Sequence, residues 1–276
     1  MFVSERLVFL QLQKTGSTYT EGLLKKTLGG SQRGKHKRLP ADAEPEFVLG
    51  SIRNPWDWYV SLWAFGCSGR GGAYNQATGR RLLRIKSVFG KYRKLIPGGN
   101  PIVTLPSHWL DPRCRWWEWA YGDPEDPERF RAWLKRLLDP EIEERIIPQF
   151  RRTGFIRVGG LLSFRYLWLF SRDNTLLERT NGVPADFDMD AYDRAESALS
   201  AVVRLEHLSS DLMAALREAG HDLTPEQELI IRAGTGVDRN ASKRRATAKY
   251  YDDQTRELVA NRERFIINRF GYTFPD

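Results

Sequence analysis

Two short polar segments near the start of the chain have the composition of anion-binding elements. The first, residues 13–19, follows an apolar run and combines Lys14 and Gly16 with serine and threonine. Backbone N–H groups at a helix start attract anions, and a glycine lets the backbone approach a ligand closely. Because Lys14 precedes Gly16, the segment differs from the Walker pattern, in which the lysine follows the glycine. It predicts a phosphate-binding turn of another type.

The second segment, residues 53–61, begins with an arginine and ends with a serine. Asn54 and Pro55 predict a helix start, so Arg53 lies at the end of the preceding strand. Eight residues of helix are about two turns, which brings Ser61 to roughly the same side as Arg53. An arginine fork at a strand end suits a phosphate. A helix-capping salt bridge is the alternative for Arg53.

These two segments, in this order, resemble the anchor motifs of sulfotransferases that use 3′-phosphoadenosine 5′-phosphosulfate (PAPS). Residues 14–18 are similar to their 5′-phosphosulfate loop, and residues 53–61 to their 3′-phosphate element. Residues 203–208, 240–243 and 250–253 are similar to the Golgi-type and bacterial carbohydrate branch.

Two departures from the cytosolic small-molecule enzymes favour the carbohydrate branch. Gln13 stands where a proline is usual, and Tyr19 stands where a tryptophan is common. The resemblance therefore implies a carbohydrate or another hydroxylated metabolite as acceptor, and not a steroid or phenol.

The resemblance also implies roles for individual residues in an in-line sulfuryl transfer that needs no metal. Lys14 would stabilise the departing nucleotide, while Arg53 and Ser61 would hold the 3′-phosphate. The loop residues that would hold the 5′-phosphate are Lys14, Thr15, Gly16, Ser17 and Thr18. Near the C-terminus, Ser242, Lys243 and Arg244 are candidates for closing over the nucleotide, with an exposed basic loop as the alternative.

A hydroxyl acceptor needs a general base, and the chain has four histidines. His36 lies among basic residues that would favour the neutral imidazole, and a solvated turn is its alternative role. His108 is the second candidate. Glu46 and Glu206 are carboxylate candidates, each better explained by a structural role.

Strands alternating with helices predict an α/β fold with a P-loop-like central parallel sheet flanked by helices. The 276 residues fit one domain, residues 1–276, with 66–152 as a substrate-side insertion. Apolar runs predict strands at 7–10, 47–52, 155–158 and 201–205. One last helix is expected from Asp252 to Gly271.

The net charge of +8 is concentrated in one part of the chain. Residues 58–110 contain no Asp or Glu, but eight Lys and Arg: Arg70, Arg80, Arg81, Arg84, Lys86, Lys91, Arg93 and Lys94. This composition predicts a basic lid and an acidic acceptor, or else a solvated basic face.

Composition also limits compartment and function. Cys67 and Cys114 do not make a disulfide framework, and no apolar run approaches the ~18 residues of a membrane helix. We expect a cytoplasmic protein without a nucleic-acid or membrane partner. Two alternatives to a sulfotransferase remain: a P-loop-like nucleotide kinase and a non-enzymatic polyanion-binding protein.

Overall fold

The computed structural model describes residues 1–79, 112–142, 146–234 and 244–275. Most of the predicted basic lid, including His108, lies outside the described residues, and so do Ser242 and Lys243. The lid and the substrate-side insertion therefore stay predictions.

Five short strands form one mixed sheet. They are β1 (Phe2–Val3), β2 (Leu7–Phe9), β3 (Ser31–Gln32), β4 (Phe47–Ile52) and β5 (Ala201–Arg204), in the spatial order β3–β1–β2–β4–β5. β2 and β5 run parallel to β4, as predicted, but β1 pairs antiparallel with β2 and β3. The centre of the sheet is therefore parallel, as predicted, and β1 adds an antiparallel edge, because β1 and β2 are joined by a short turn and not by a crossover helix.

Helices of the described residues cover both faces of the sheet. The first seven are α1 (Ser17–Leu28), α2 (Pro55–Cys67), α3 (Gly72–Ala77), α4 (Pro112–Ala120), α5 (Pro127–Leu138), α6 (Pro148–Arg152) and α7 (Phe155–Val158). The others are α8 (Leu161–Phe170), α9 (Thr175–Glu178), α10 (Met189–Glu196), α11 (Leu208–Glu218), α12 (Pro225–Ala233), α13 (Asp253–Arg262) and α14 (Arg264–Phe270). Short 3-10 turns occupy Leu205–His207 and Thr247–Tyr250.

The alternation of side chains along β2 separates two apolar layers. Leu7 and Phe9 point to the face covered by α1, α11 and α12, while Val8 points to the opposite face. On that second face, α2 is buried almost all round and packs against α5 and α13. The aromatic residues Trp56 and Trp63 of α2 are core residues. The strand ends and the first turns of α1 and α2 are thereby fixed in place.

Local sequence explains why α1 and α2 begin where they do. Gly16 has a left-handed backbone (φ 70°) directly before α1, and Gly29 ends that helix. At α2, Asn54 Oδ1 accepts a hydrogen bond from the Trp56 N–H at 3.2 Å, and Pro55 takes the first helical position. Both starts agree with the sequence prediction.

Two predicted elements are wrong. Residues 155–158 form the short helix α7 instead of a strand, because Phe155 and Ile156 are buried among aromatic side chains away from the sheet. The single last helix is two helices, α13 and α14, which meet at Glu263.

Glu263 explains the break between α13 and α14. Its carboxylate is fully buried and accepts hydrogen bonds from the N–H groups of Leu162 (2.9 Å) and Ser163 (2.8 Å), the Ser163 hydroxyl (2.7 Å) and the Tyr59 hydroxyl. The side chain therefore satisfies the first turn of α8. A Cβ at Gly160 would overlap the Glu263 carboxylate, so only glycine fits there.

Among residues 1–79, 112–142, 146–234 and 244–275, none of the helices combines the length and the apolar character needed to cross a bilayer.

Candidate nucleotide and sulfuryl-transfer site

Both sequence-predicted motifs line one cleft of about 1670 Å³ at the carboxyl ends of the central strands. The loop of residues 13–16, hereafter the β2–α1 loop, contributes Lys14 and Gly16. The end of β4 contributes Arg53, and α2 contributes Ser61. Arg244, from the C-terminal part of the chain, lines the same cleft. The structure thus brings together residues that are far apart in the sequence.

The β2–α1 loop has an unusual backbone. Lys14 (φ 65°) and Gly16 (φ 70°) are both in the left-handed region, which costs energy for a lysine. A Cβ on Gly16 would lie 2.5 Å from Leu205 Cδ1, so any other residue would need Leu205 to shift as well as a strained backbone. The loop leads into the first turn of α1, where the backbone N–H groups of Ser17 and Thr18 have no acceptor within the helix. Such N–H groups can bind an anion.

Side chains from β4 and α2 hold the β2–α1 loop in this shape. Thr15 Oγ1 donates to the Leu12 carbonyl at 2.9 Å and lies 2.7 Å from Ser51 Oγ. Trp58 Nε1 donates to the Gln13 carbonyl at 2.7 Å. Because its hydroxyl is buried and engaged, Thr15 can offer a ligand only its backbone amide, which narrows the role predicted from the sequence.

Lys14 is the cation at the tip of this loop. Its Nζ lies 4.2 Å from the centre of the Phe65 ring, a cation–π contact on α2. Burial lowers the pKa of Lys14 to about 8, and the positive charges of Arg53, Arg244 and Arg70 add to that shift. A bound anion would reverse it, because a nearby negative charge favours the ammonium form.

Arg53 and Arg244 converge on the carboxylate of Asp57. Arg53 donates to Oδ2 from Nε (2.7 Å) and Nη2, while Arg244 Nη2 donates to Oδ1 at 3.1 Å and the Thr247 hydroxyl also donates to Oδ1. Burial alone would raise the pKa of Asp57, but the two arginines hold it below its ordinary value. Arg53 Nη1 also donates to the Lys14 carbonyl at 3.4 Å.

The Asp57 cluster shows the salt bridge that the sequence leaves open for Arg53. The ion pair is the predicted salt bridge, and it also orients two guanidinium groups toward one place in the cleft. Each arginine has five N–H donors, of which Asp57 takes only some. The remaining donors are suited to a phosphate.

Three hydroxyl residues assigned to the nucleotide line the cleft. Ser17 and Ser61 are largely buried, whereas Thr18 is exposed. Thr18 Oγ1 accepts a hydrogen bond from Lys35 Nζ at 3.1 Å. Lys35 was missed as a site residue, although it stands next to His36 in the sequence.

His36 lines the cleft with a left-handed backbone (φ 56°). Its Nδ1 lies 2.8 Å from the Gln11 carbonyl. A carbonyl only accepts, so Nδ1 carries the hydrogen in that bond and the neutral ring keeps a lone pair on Nε2. Burial lowers the pKa of His36; the Gln11 bond opposes this shift, and Arg165 and Lys35 reinforce it. The lowered pKa of His36 favours the neutral imidazole.

Basic side chains dominate the described wall of the cleft. Besides the residues already named, Arg70, Arg165, Arg232 and Arg245 line it, and Glu206 is the carboxylate among its described lining residues. Glu206 is structural, as expected: its Oε1 accepts from the Asn54 N–H at 2.7 Å. Arg165 was not predicted as a lining residue of the cleft. Its position as the single charged residue of the mostly apolar helix α8 could have indicated it.

Among the described residues, this site has neither a cluster of metal ligands nor a disulfide. In the ranges that the structure describes, His, Cys, Asp and Glu side chains form no group of three that could hold a metal ion. Cys67 and Cys114 are not joined by a disulfide. Burial is the main cause that raises the pKa of the Cys67 thiol to about 12, which makes it a poor nucleophile.

No family model, no curated protein and no solved structure was found to match this chain.

Proposed function

We propose that the protein is a PAPS-dependent sulfotransferase that acts on a hydroxyl, or an amine, of a carbohydrate or another hydroxylated metabolite. The observation that supports this best is the meeting of Lys14 with Arg53 and Arg244 in one cleft. PAPS carries negative charge at its 5′-phosphosulfate and at its 3′-phosphate. The cleft offers a cationic element for each: the P-loop-like β2–α1 loop and the arginine pair on Asp57.

The residues divide the chemistry as follows. The acceptor oxygen forms a bond to sulfur while the bond from sulfur to the 5′-phosphate oxygen breaks. Lys14 stabilises the charge that develops on that departing oxygen, and the first-turn amides of α1 hold the phosphate. His36 Nε2 takes the proton of the acceptor hydroxyl. As in phosphoryl transfer, the protein contributes mainly positioning and charge stabilisation.

Calorimetry with adenosine 3′,5′-bisphosphate and with ATP plus Mg²⁺ tests this proposal. A sulfotransferase binds the bisphosphate more tightly, because Arg53 and Arg244 recognise a 3′-phosphate that ATP lacks. Preference for ATP would support the kinase alternative instead. Binding of a DNA oligomer alone would support the polyanion-binding alternative.

Replacing Arg53 should weaken the nucleotide complex. Arg53→Ala is expected to lower the affinity for adenosine 3′,5′-bisphosphate about ten- to a hundredfold, since hydrogen bonds to charged groups contribute about 1.5–3 kcal/mol. Isothermal titration measures this change. Arg6→Ala removes an exposed arginine that lies outside the described lining of the cleft and pairs with Glu46 at 4.0 Å, and should leave the affinity unchanged. An unaltered affinity in Arg53→Ala would remove the 3′-phosphate site from the proposal.

The two titrating groups predict a bell-shaped dependence of kcat/KM on pH. His36 must be neutral, and burial lowers its pKa, so the acid limb should lie below the ordinary histidine value of about 6.5. Lys14 must be charged, and its pKa is lowered to about 8, so activity should fall above that pH. His36→Gln should abolish the acid limb, and Lys14→Arg should move the alkaline limb upward. If neither limb responds to its variant, these groups do not carry the proton steps.

A further inference from the structure

Arg38 joins the segment that carries His36 to the carboxyl end of helix α8. Its Nη1 donates to Glu178 Oε1 at 3.1 Å, and its Nη2 donates to the carbonyls of Ser171 (3.3 Å) and Arg172 (3.0 Å). The last carbonyls of a helix lack partners within the helix, so an arginine at this end is favourable. Arg38 and Ser171 are 133 positions apart in the sequence, so these bonds hold two distant segments together.

His36 has a strained backbone that needs support from its surroundings. Its φ of 56° is in the left-handed region, which is uncommon for a residue other than glycine, and Gly34 just before it has φ 92°. Such a conformation persists only where the surrounding structure fixes the chain. The contacts on either side of His36 therefore determine whether its ring stays in place.

The structure has contacts on both sides of His36. Before it, the Arg33 N–H donates to the Met1 carbonyl at 2.8 Å, where β3 pairs with β1. After it, Arg38 makes its three hydrogen bonds and Leu39 packs partly against the core. Arg38 follows His36 by two residues, so their Cα atoms are at most about 7 Å apart. A fixed Arg38 therefore limits how far His36 can move.

Helix α8 gives Arg38 a fixed point of attachment. At the first turn of this helix, the buried Glu263 carboxylate accepts hydrogen bonds from the N–H groups of Leu162 and Ser163. Most residues of α8 are buried, and Arg165 from the same helix lines the cleft. Arg38 therefore ties the His36 segment to a helix that belongs to the wall of the cleft.

We propose that Arg38 is a positioning residue for His36. Its bonds to the end of α8 hold the segment in the conformation in which His36 Nδ1 meets the Gln11 carbonyl and Nε2 keeps its lone pair. The role of His36 as base rests on the proposed sulfotransferase function, whereas the tether itself does not depend on turnover.

The charged groups around His36 come from three places in the fold. They are Lys35 from the same segment, Arg165 from α8 and the amino group of Met1, and all of them are unchanged in an Arg38 variant. Burial is the main cause that lowers the pKa of His36. A ring released from its place should therefore return toward the ordinary pKa of about 6.5.

NMR of the histidine ring nitrogens tests the proposal without an acceptor. In protein with isotope-labelled histidine, these signals report which nitrogen carries the hydrogen and at what pH the ring titrates, and His36→Gln assigns them. We expect wild-type His36 to carry its hydrogen on Nδ1 and to have a pKa below about 6.5. In Arg38→Met, the Nδ1–H form should lose its dominance and the pKa should rise toward that value.

Lys37→Met is the matched control. Lys37 is exposed and lies between the two residues, so its replacement removes one positive charge from the same segment while the three bonds of Arg38 remain. The tautomer and the pKa of His36 should stay as in the wild type. Arg38→Lys keeps the charge but lacks the planar fork, so it should give an intermediate change. Arg38→Lys also provides the test if thermal unfolding shows that Arg38→Met does not fold.

Two results would overturn the inference. An unchanged tautomer and pKa of His36 in Arg38→Met would leave Arg38 as a cap of α8 and nothing more. The same shift in Lys37→Met as in Arg38→Met would make the loss of charge, and not the loss of the tether, its cause.

Calorimetry with adenosine 3′,5′-bisphosphate separates failure of this inference from failure of the proposed function. Arg38 lies outside the described lining of the cleft, so Arg38→Met should bind the bisphosphate with wild-type affinity. If the wild type does not bind it, the proposed function is wrong, and the NMR comparison still decides whether Arg38 positions His36. If both proteins bind it and His36 is the same in both, only the positioning role is wrong.

Discussion

Replacing Lys14 with methionine is expected to lower kcat by about 10²–10³-fold, the typical loss when one donor to a developing oxyanion is removed. Methionine keeps the bulk that packs on Phe65 but has no charge. Because the charge on the departing oxygen develops in the transition state and is complete only in the bisphosphate product, the affinity for PAPS should change far less than kcat, whereas the affinity for adenosine 3′,5′-bisphosphate should fall as well. Single-turnover kinetics with PAPS, alongside calorimetry, measures both quantities.

Lys26→Met provides the control for this prediction. Lys26 lies in the last turn of the same helix α1, is exposed, and does not line the cleft. Its loss should leave kcat within a factor of about two, because single surface charges near a helix end contribute about 0.3–1 kcal/mol to stability and nothing to the cleft. If Lys14→Met lost nucleotide affinity and kept kcat, Lys14 would be a binding residue only.

Glu263→Ala is expected to destabilise the fold by about 4 kcal/mol or more. The substitution leaves buried N–H and O–H donors of Leu162, Ser163 and Tyr59 without an acceptor, and each such donor costs about 1–3 kcal/mol. That loss is a large part of the 5–15 kcal/mol typical of a whole protein. Urea unfolding followed by fluorescence measures the change.

Two further variants show whether the hydrogen bonds of Glu263 are the cause. Glu263→Gln keeps one acceptor oxygen but brings an NH₂ group toward other donors, so its loss should be intermediate. Glu257→Ala changes an exposed glutamate on α13 and should alter stability by less than about 0.5 kcal/mol. Equal stability of Glu263→Ala and the wild type would mean that α8 does not depend on this carboxylate.

The elements that frame the cleft were predictable because their signals are local. Gly16 before α1, and Asn54 with Pro55 before α2, each act within a few residues. The same is true of the apolar runs that became β2 and β4. These turns and helix starts are determined by residues within a few positions of each other, so a short stretch of sequence is enough to predict them.

The features that could not be predicted from the sequence depend on contacts between residues that are far apart in the chain. Phe155 and Ile156 have an apolar pattern that fits a strand or a helix, and only burial among other aromatic residues decides for α7. The break at Glu263 depends on α8, about a hundred residues earlier in the chain. The engagement of the Thr15 hydroxyl likewise depends on Ser51, from another strand.

The contact of Arg244 with Asp57 joins residues 187 positions apart. During synthesis, the β2–α1 loop and α2 are complete long before Arg244 and Thr247 leave the ribosome. A chain that stops before Arg244 contains all five strands, yet it lacks half of the arginine pair around Asp57 and the buried Tyr250, Val259 and Glu263. Under the proposed function, a nascent chain therefore gains full affinity for the nucleotide only after residues 244–247 have been added.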